Sequence, residues 1–467
     1  MSKAKQNISI VNVELTHIDA GKRRVLKGLM SACADVTSYL IHVICDHYDE
    51  ISTLSSFEAL TKVEQLIHHT KQNQSPEYED FDIRFNRLPS YIRRAAIHAA
   101  LGHVQSHETR CDQYYKTRQA VVSHGHRYKK MEPGFTFTPN VCPTLYRKES
   151  FAIDVDTLAI GIKVFMDGHW VWLACAIPNR DAKCLKKAMA EGKALNPKLV
   201  YKYHKFYLQF PIEHHAGEFP KLPLNEQLVL GVDLGLNRPA VCSVMDMYGT
   251  VHGRVFAPFK EDMARIDHII NKIRKAQATS GKGQSLSSLY TKLQGLKENY
   301  VRQLSHWIAE TAGTSGVYGI VLEHLGSIHR GKGRGSLKAR VHHWCVAKIR
   351  DLVKGLAFRK GIRVFLINPK GTSMYAFDGS GKVVRDEDNY SLCTFQSGKR
   401  YDCDLSASYN IAARYFLRAI NKSIPEKGWS ALQAKVPELS KRTMWTLSTL
   451  RSVTDCMATS PQKACAA

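Results

Sequence analysis

Three acidic residues occupy positions from which a carboxylate can hold a metal ion: Asp233, Glu323 and Asp404. Asp233 ends the apolar run LVLGV and leads directly to Gly235, and Glu323 ends VYGIVL just before the polar loop that begins at Gly326. Asp404 opens DLSASYNIAARYFLRAI, where Leu405, Ala407, Ile411 and Ala412 are spaced as the inward face of a helix. A carboxylate at a strand end sits half out of the core, where water and ions reach it. Three converging carboxylates repel one another and stay ionised by sharing hard cations such as Mg²⁺, with Mn²⁺ able to substitute. Two such ions, roughly 4 Å apart, activate a water on one side of a phosphodiester and stabilise the leaving oxygen on the other.

Taken singly, each acid has a plainer use: a turn former, a solvated strand end, a helix cap. Their order in the chain outweighs those readings. The first acid lies in a stretch that reads strand, turn, strand, turn, strand (LVLGVDLGLNRPAVCSVMDMYGTVHGRV). Two amphipathic helices follow, one with Ile266, Ile269, Ile270 and Ile273 as its stripe, the other with Leu289, Leu293, Leu296 and Tyr300. The second acid then ends a buried strand, and a helix with Val341, Cys345, Ile349, Leu352 and Leu356 inward leads to another strand, IRVFLINP. An irregular segment precedes the helix that carries the third acid. A three-strand meander, a buried strand and a final helix, each bearing one acid, is the topology of an RNase H-like nuclease.

The front of the chain is different in texture. ISIVNVEL reads as a short strand, and the pattern is helical from about Lys22 to Val104, with a helix start at Leu88-Pro89-Ser90. Arg93 and Arg94 on that helix are candidate phosphate contacts. Strand-like runs (AIDVDTLAIGIKVF, HWVWLACAI, KFYLQFPI) then suggest a small barrel. The fold class expected is therefore α/β and multidomain: a first barrel strand in 1–22, a helical lobe in 23–138, a β-barrel in 139–222 and the RNase H-like domain in 223–420. The remainder, 421–467, reads as a tail with one weakly helical piece and a loose Ser/Thr-rich end.

Composition points to the partner. The chain has 467 residues and a formal charge of +24, an excess that a polyanion, most commonly nucleic acid, neutralises. Arg330, Lys332, Arg334, Lys338 and Arg340, in the loop after Glu323, are further candidate phosphate contacts. No continuous apolar run approaches the length of a membrane-spanning helix and the start lacks a signal-peptide core. A reducing cytoplasm, in a prokaryote and near the nucleoid, is the expected compartment, with no membrane partner. Cys33, Cys45, Cys175, Cys242 and Cys345 sit among apolar neighbours and read as small core residues.

GVDLGLNRPAVCS, IVLEHL and DLSASYNIAARYF resemble the RuvC nuclease motifs of the TnpB/OrfB family, transposon-associated RNA-guided nucleases from which miniature type V CRISPR effectors derive. The last matches the family's D-x-N-A-A-x-N-I, with Ser406 and Ser408 as changes that keep the acid and Asn410. LPSYIRRAAIHAALG resembles a helix of the family's recognition lobe, and PTLYRKESF with YKYHKFYLQF its wedge barrel, so the resemblance spans about residues 5–420. It implies that Asp233, Glu323 and Asp404 are the catalytic, metal-binding acids of a DNA endonuclease, with Asp402 as a competitor for the third role. It further implies a structured guide RNA, a double-stranded DNA target with a short flanking motif, and action as a monomer or as a dimer on one RNA. The family's four-cysteine zinc finger is degenerate across 369–403: its first pair falls on Ala376 and Gly379, and the second region keeps only Cys393, with Cys403 beside Asp404. No structural zinc is expected, and the segment is expected as a metal-free loop. The alternatives are a nuclease-inactive RNA-guided repressor of the same fold, an unguided RNase H-like transposase or resolvase, and a structural nucleic-acid-binding protein, which would have no use for three acids in basic surroundings.

Overall fold

The computed structural model describes residues 7–70, 73–135, 141–235, 238–279, 286–325, 345–389 and 391–459. Its fold is mixed α/β, in two compact units: Ile8–His214, and His215–Ala467 together with Met1–Asn7.

In the Ile8–His214 unit, β1 (Asn7–Glu14) is followed by the helices Ala20–Asp46, Ser56–Ile67 and Ser90–Ser123. Six more strands follow: β2 (Phe151–Asp154), β3 (Ala159–Met166), β4 (His169–Ala176), β5 (Gly192–Ala194), β6 (Lys198–Lys202) and β7 (Lys205–His214). Two sheets result, the meander β2-β3-β4 and a second in which β7 lies between β1 and β5 and also pairs with β6. In β7 the alternate residues Phe206, Leu208, Phe210 and Ile212 are buried, the period of two that places one strand face on a core. They share that core with Ile160, Ile162 and Val164 of the other sheet. A second core, around Leu40, Ile44, Val63, Ile67 and Ile97, is wholly helical.

Three expectations need correction here. A helix, Asn179–Glu191, interrupts the run of strands; it starts after Pro178 and buries Ala182 and Leu185. Ala20–Asp46 is long and apolar enough, by length and composition, to cross a membrane. Within this unit it serves as a core helix, with Leu26, Leu40 and Ile44 almost wholly buried. Cys45, expected in the core, is exposed at its end, whereas Cys33 and Cys175 are buried.

The other unit is built on a five-stranded sheet in the order β10-β9-β8-β11-β12. Its members are β8 (Val229–Asp233), β9 (Val241–Met245), β10 (Val251–Phe256), β11 (Gly319–Glu323) and β12 (Arg363–Ile367). β8 runs antiparallel to β9 and parallel to β11, and β11 parallel to β12. The sheet lies between two layers of helix. Leu230, Val232, Ile320 and Leu322 pack on the Ser287–Thr314 and Val346–Arg359 helices through Leu304, Ile308, Ile349 and Val353. Val229 and Val321 face the opposite layer, the Cys403–Ser423 helix with Ala412 and Phe416. Gly231 permits that approach: a Cβ there would lie 2.4 Å from the Ser408 carbonyl and 2.9 Å from the Ala412 Cβ.

The segment expected as a loop folds as a small antiparallel sheet of β13 (Val384–Arg385), β14 (Leu392–Thr394) and β15 (Arg400–Asp402). Its own core holds Ala376, Cys393, Phe395 and Cys403, closed by Phe377 and Tyr401. The expected loose tail is also corrected. Leu447–Thr459 is a helix with Leu447, Leu450 and Val453 buried in the core of the Cys403–Ser423 layer, and the Trp429 and Trp445 rings meet at 6.0 Å. Thr449 and Thr454 are buried on the same face, so its inward stripe is diluted with hydroxyls and composition alone read as loose.

Candidate active site

Strand alternation sets where two of the acids go. Residues 229, 231 and 233 of β8 share a face, as do 319, 321 and 323 of β11, and Val229 and Val321 settle which face that is. In the parallel register Leu322 lies beside Val232, so Asp233 and Glu323 end neighbouring strands on the side of the Cys403–Ser423 helix. Asp404 stands in the first turn of that helix. The three acids are half-buried.

Their electrostatics agree with that placement. Burial, then the fields of Glu323 and Asp404, hold the Asp233 carboxyl well above the usual carboxylate range, with Arg385 opposing. Burial raises Glu323 as well, against a hydrogen bond from Thr372 and the charge of Arg414. Asp404 is raised by burial and by Asp402, and lowered by Arg238 and Arg385. Among the described residues no three His, Cys, Asp or Glu side chains are arranged to enclose a metal ion. The carboxylates feel one another without closing on a common point.

Asp402 and Asp404 part company here. Asp402 is the helix cap: its Oδ1 accepts the Leu405 N–H at 2.9 Å, and its Oδ2 is ion-paired with Arg238. Both Asp402 oxygens are thus engaged, whereas Asp404, two residues on, adds its field to that of Glu323 at Asp233. Arg238, its guanidinium 5.2 Å from the Phe256 ring centroid, lines with Lys260 and Asp402 an open cleft of about 440 Å³.

Behind the acids lies a hydrogen-bonded frame for which the sequence carried little signal. Thr372, fully buried, donates from Oγ1 to Glu323 Oε1 at 2.5 Å. The Asn410 amide donates to the carbonyls of Thr372 (3.0 Å) and Tyr375 (2.9 Å), and its oxygen accepts the Leu447 N–H at 3.1 Å. Arg414, one turn on, donates to the carbonyls of Asn368, Lys370, Thr443 and Trp445. Asn410 was legible as a motif residue. Arg414 has only its four-residue spacing from Asn410 to mark it, and Thr372 has nothing.

The basic candidates fare less uniformly. Arg93 is buried, and Arg93 and Arg94 both reach Glu64 Oε1 at 3.3 Å, so Arg93 ties helices together and is not placed to meet a phosphate. Arg94 remains exposed on the same carboxylate. Arg330, Lys332, Arg334, Lys338 and Arg340 lie outside the described residues. In the small sheet the Cys393 and Cys403 thiols neighbour one another, and burial pushes Cys403 up to about 12. Phe377 packs edge-on against Phe395, Tyr401 and Tyr409 in the same segment.

One protein-family model, the Aq_aa04 family, matches residues 9–166, about a third of the chain. No curated protein matches the sequence. The solved structures it resembles are type V CRISPR effectors. The mini-RNA-guided endonuclease CRISPR-Cas_phi3 is 11% identical with a TM-score of 0.49, covering 87% of this chain and 92% of that one. CasPhi-2 (Cas12j) bound to crRNA and phosphorothioate-DNA is 10% identical with a TM-score of 0.49, covering 88% and 91%. Cas12f1 in complex with sgRNA and target DNA is 10% identical with a TM-score of 0.32, covering 87% and 98%.

Proposed function

We propose that the His215–Ala467 unit is an RNase H-like, RuvC-type nuclease domain, and that the chain is an RNA-guided DNA endonuclease. The observation that carries the nuclease reading is the placement of Asp233, Glu323 and Asp404. Neighbouring parallel strands and one helix bring them to a single sheet face, within one another's fields. The sheet order β10-β9-β8-β11-β12, with its first three strands antiparallel and the rest parallel to β8, is the RNase H arrangement.

The donor set suits a hard divalent cation. Three carboxylate oxygens without sulfur or imidazole favour Mg²⁺ or Mn²⁺, and the elevated, mutually repelling acids would be relieved by the cation's charge. Asp233, Glu323 and Asp404 would hold two such ions, which supply a water activated for attack and charge to stabilise the departing oxygen. The chain's own part is positional. Thr372 orients Oε1 of Glu323, Asp402 anchors the helix so that Asp404 stays in its first turn, and Arg238 and Lys260 line the approach for a phosphate backbone.

The guide-RNA part rests on the motif resemblance and on the charge of +24, which suits a channel holding nucleic acid backbone throughout. The two-sheet core of the Ile8–His214 unit fits the wedge barrel that the resemblance implies, and its helical core the recognition lobe. The partners are then a structured RNA and a double-stranded DNA with a short flanking motif. A second reading, a guided DNA-binding repressor that does not cut, draws on the fact that among the described residues no three such side chains are grouped to enclose a metal ion.

The test is to express the chain with its native flanking DNA, sequence the co-purifying RNA, and offer the complex matched DNA with Mg²⁺. A discrete RNA with cleavage that Asp233→Ala abolishes supports the proposal. A discrete RNA without cleavage selects the repressor, and random RNA or none removes the guided reading.

A further inference from the structure

The tail of the chain closes a cavity that the proposed chemistry does not use. It measures about 320 Å³ and lies at the carboxyl end of β12, between Asn368, the Cys403–Ser423 helix and the turn that carries Arg442 and Trp445. Four cations face it, Arg414, Arg418, Lys422 and Arg442, and no acidic residue lines it. Arg414, Arg418 and Lys422 recur at steps of four along one helix. Like charges so placed destabilise a helix unless something neutralises them.

The rim is also held in place. Arg418 Nη1 donates to the Leu366 carbonyl at 3.1 Å, and the Arg442 guanidinium lies 6.0 Å from the centroid of the buried Trp445 ring. Arg414 forms the floor; its donors are spent on four carbonyls, so it contributes charge and leaves the contacts to the rim. A solvated basic face is the plain alternative, but such a face is convex, whereas this one is concave and large enough for a phosphate with its sugar. In open α/β sheets the crevice beyond the carboxyl ends of parallel strands is also where ligands collect.

We propose that this cavity is a phosphate-binding site, formed by Arg418, Lys422 and Arg442 over Arg414, and that it takes a backbone phosphate of a nucleic acid strand. The inference deepens the nuclease reading. The cavity begins at Ile367, the register partner of Glu323 on the neighbouring strand, so a strand crossing the acids would place a neighbouring phosphate here. A free nucleotide offers the same oxyanion, and the experiment separates the two sources.

Binding of a fluorescein-labelled single-stranded deoxyoligonucleotide is measured by anisotropy with the full chain, with adenosine monophosphate as competitor. An Asp233→Ala background makes the readout independent of cleavage, so failure of the nuclease reading leaves this result intact. The triple variant Arg418→Gln/Lys422→Gln/Arg442→Gln is compared with an equal-charge control, Lys272→Gln/Arg274→Gln/Lys435→Gln, whose three positions lie away from the cavity. The expected result is strand affinity at least about tenfold weaker than in the control, with a log–log salt slope shallower by about 2. Loss of strand binding without competition by the mononucleotide supports a strand phosphate. Competition that the triple variant abolishes, with strand affinity unchanged, supports a phosphate site but assigns it to a free nucleotide. Equal behaviour of triple and control variants toward both probes, with unchanged thermal melts, overturns the proposal.

Discussion

Thr372 Oγ1 stands 2.5 Å from Oε1 of Glu323 and 2.8 Å from the Pro369 carbonyl, so one hydroxyl proton is offered to two oxygens. When Glu323 is ionised the charge-assisted bond to the carboxylate is the stronger. When Glu323 is protonated it can donate to Thr372, which then donates to Pro369. Either way one carboxylate oxygen is fixed and Oε2 is left for other work. Thr372→Val should lower single-turnover cleavage roughly tenfold to a hundredfold, from about 1.5–3 kcal/mol for a hydrogen bond to a charged group. Nucleic-acid affinity should stay unchanged, and an unaltered rate would mean that Glu323 is oriented by other groups.

Asp233 gives a stability prediction with a definite sign. Its folded-state pKa is raised, so the folded protein binds more protons than the unfolded chain. Stability contributed by the neutral acid is therefore lost as pH rises from the unfolded value through the folded one. In metal-free buffer, Asp233→Asn should melt higher than the parent at about pH 7, by a few degrees, and the gap should shrink toward about pH 4. A gap that widens on acidification would contradict the assigned direction.

Arg414 joins four carbonyls from two separate segments, and removal takes away the donor that links them. Arg414→Met should cost about 3 kcal/mol or more in urea unfolding. Arg414→Lys should recover little, because a single ammonium cannot span the fork.

Leu450 is fully buried beneath the sheet, whereas Asp455 on the same helix is exposed. Leu450→Ala should destabilise by about 2–5 kcal/mol, and Asp455→Ala by less than about 0.5 kcal/mol. Equal, small effects in denaturant titrations would detach this helix from the core.

The buried Ala376, Cys393, Phe395 and Cys403 form an apolar centre for the small sheet. Metal analysis of purified protein should find well under one zinc per chain, and Cys393→Ala/Cys403→Ala should leave that value unmoved. Stoichiometric zinc lost on the double substitution would show a metal site in place of the apolar centre.

The acids were legible because each ends or opens a run whose apolar pattern states its own element: β8 and β11 as continuous buried strands, and the Cys403–Ser423 helix by its three- and four-residue spacing. Between Asp402 and Asp404 as the third acid, the sequence offers only the spacing to Asn410, which favours Asp404; that Asp402 caps the helix through Leu405 was not legible there. Thr372 stayed invisible because its partner is 49 residues away and a buried threonine in GTS looks like any turn residue. Arg93 misled because an arginine on a helix face reads as solvated, while its pairing with Glu64 comes from another helix. The β13–β15 sheet has strands of two or three residues, too short for alternation to register.

The bonds from Asn410 to Leu447, and from Arg414 to Thr443 and Trp445, have a consequence in time. Those partners follow all three acids in the chain, so a ribosome delivers every carboxylate before it delivers the residues that brace them. A stalled or prematurely terminated product ending before Thr443 would carry a full set of acids and only part of their brace, the bonds among Glu323, Thr372, Asn410 and Arg414 and the 368–375 segment. The last part of the brace is thus made only after the last acid has left the ribosome.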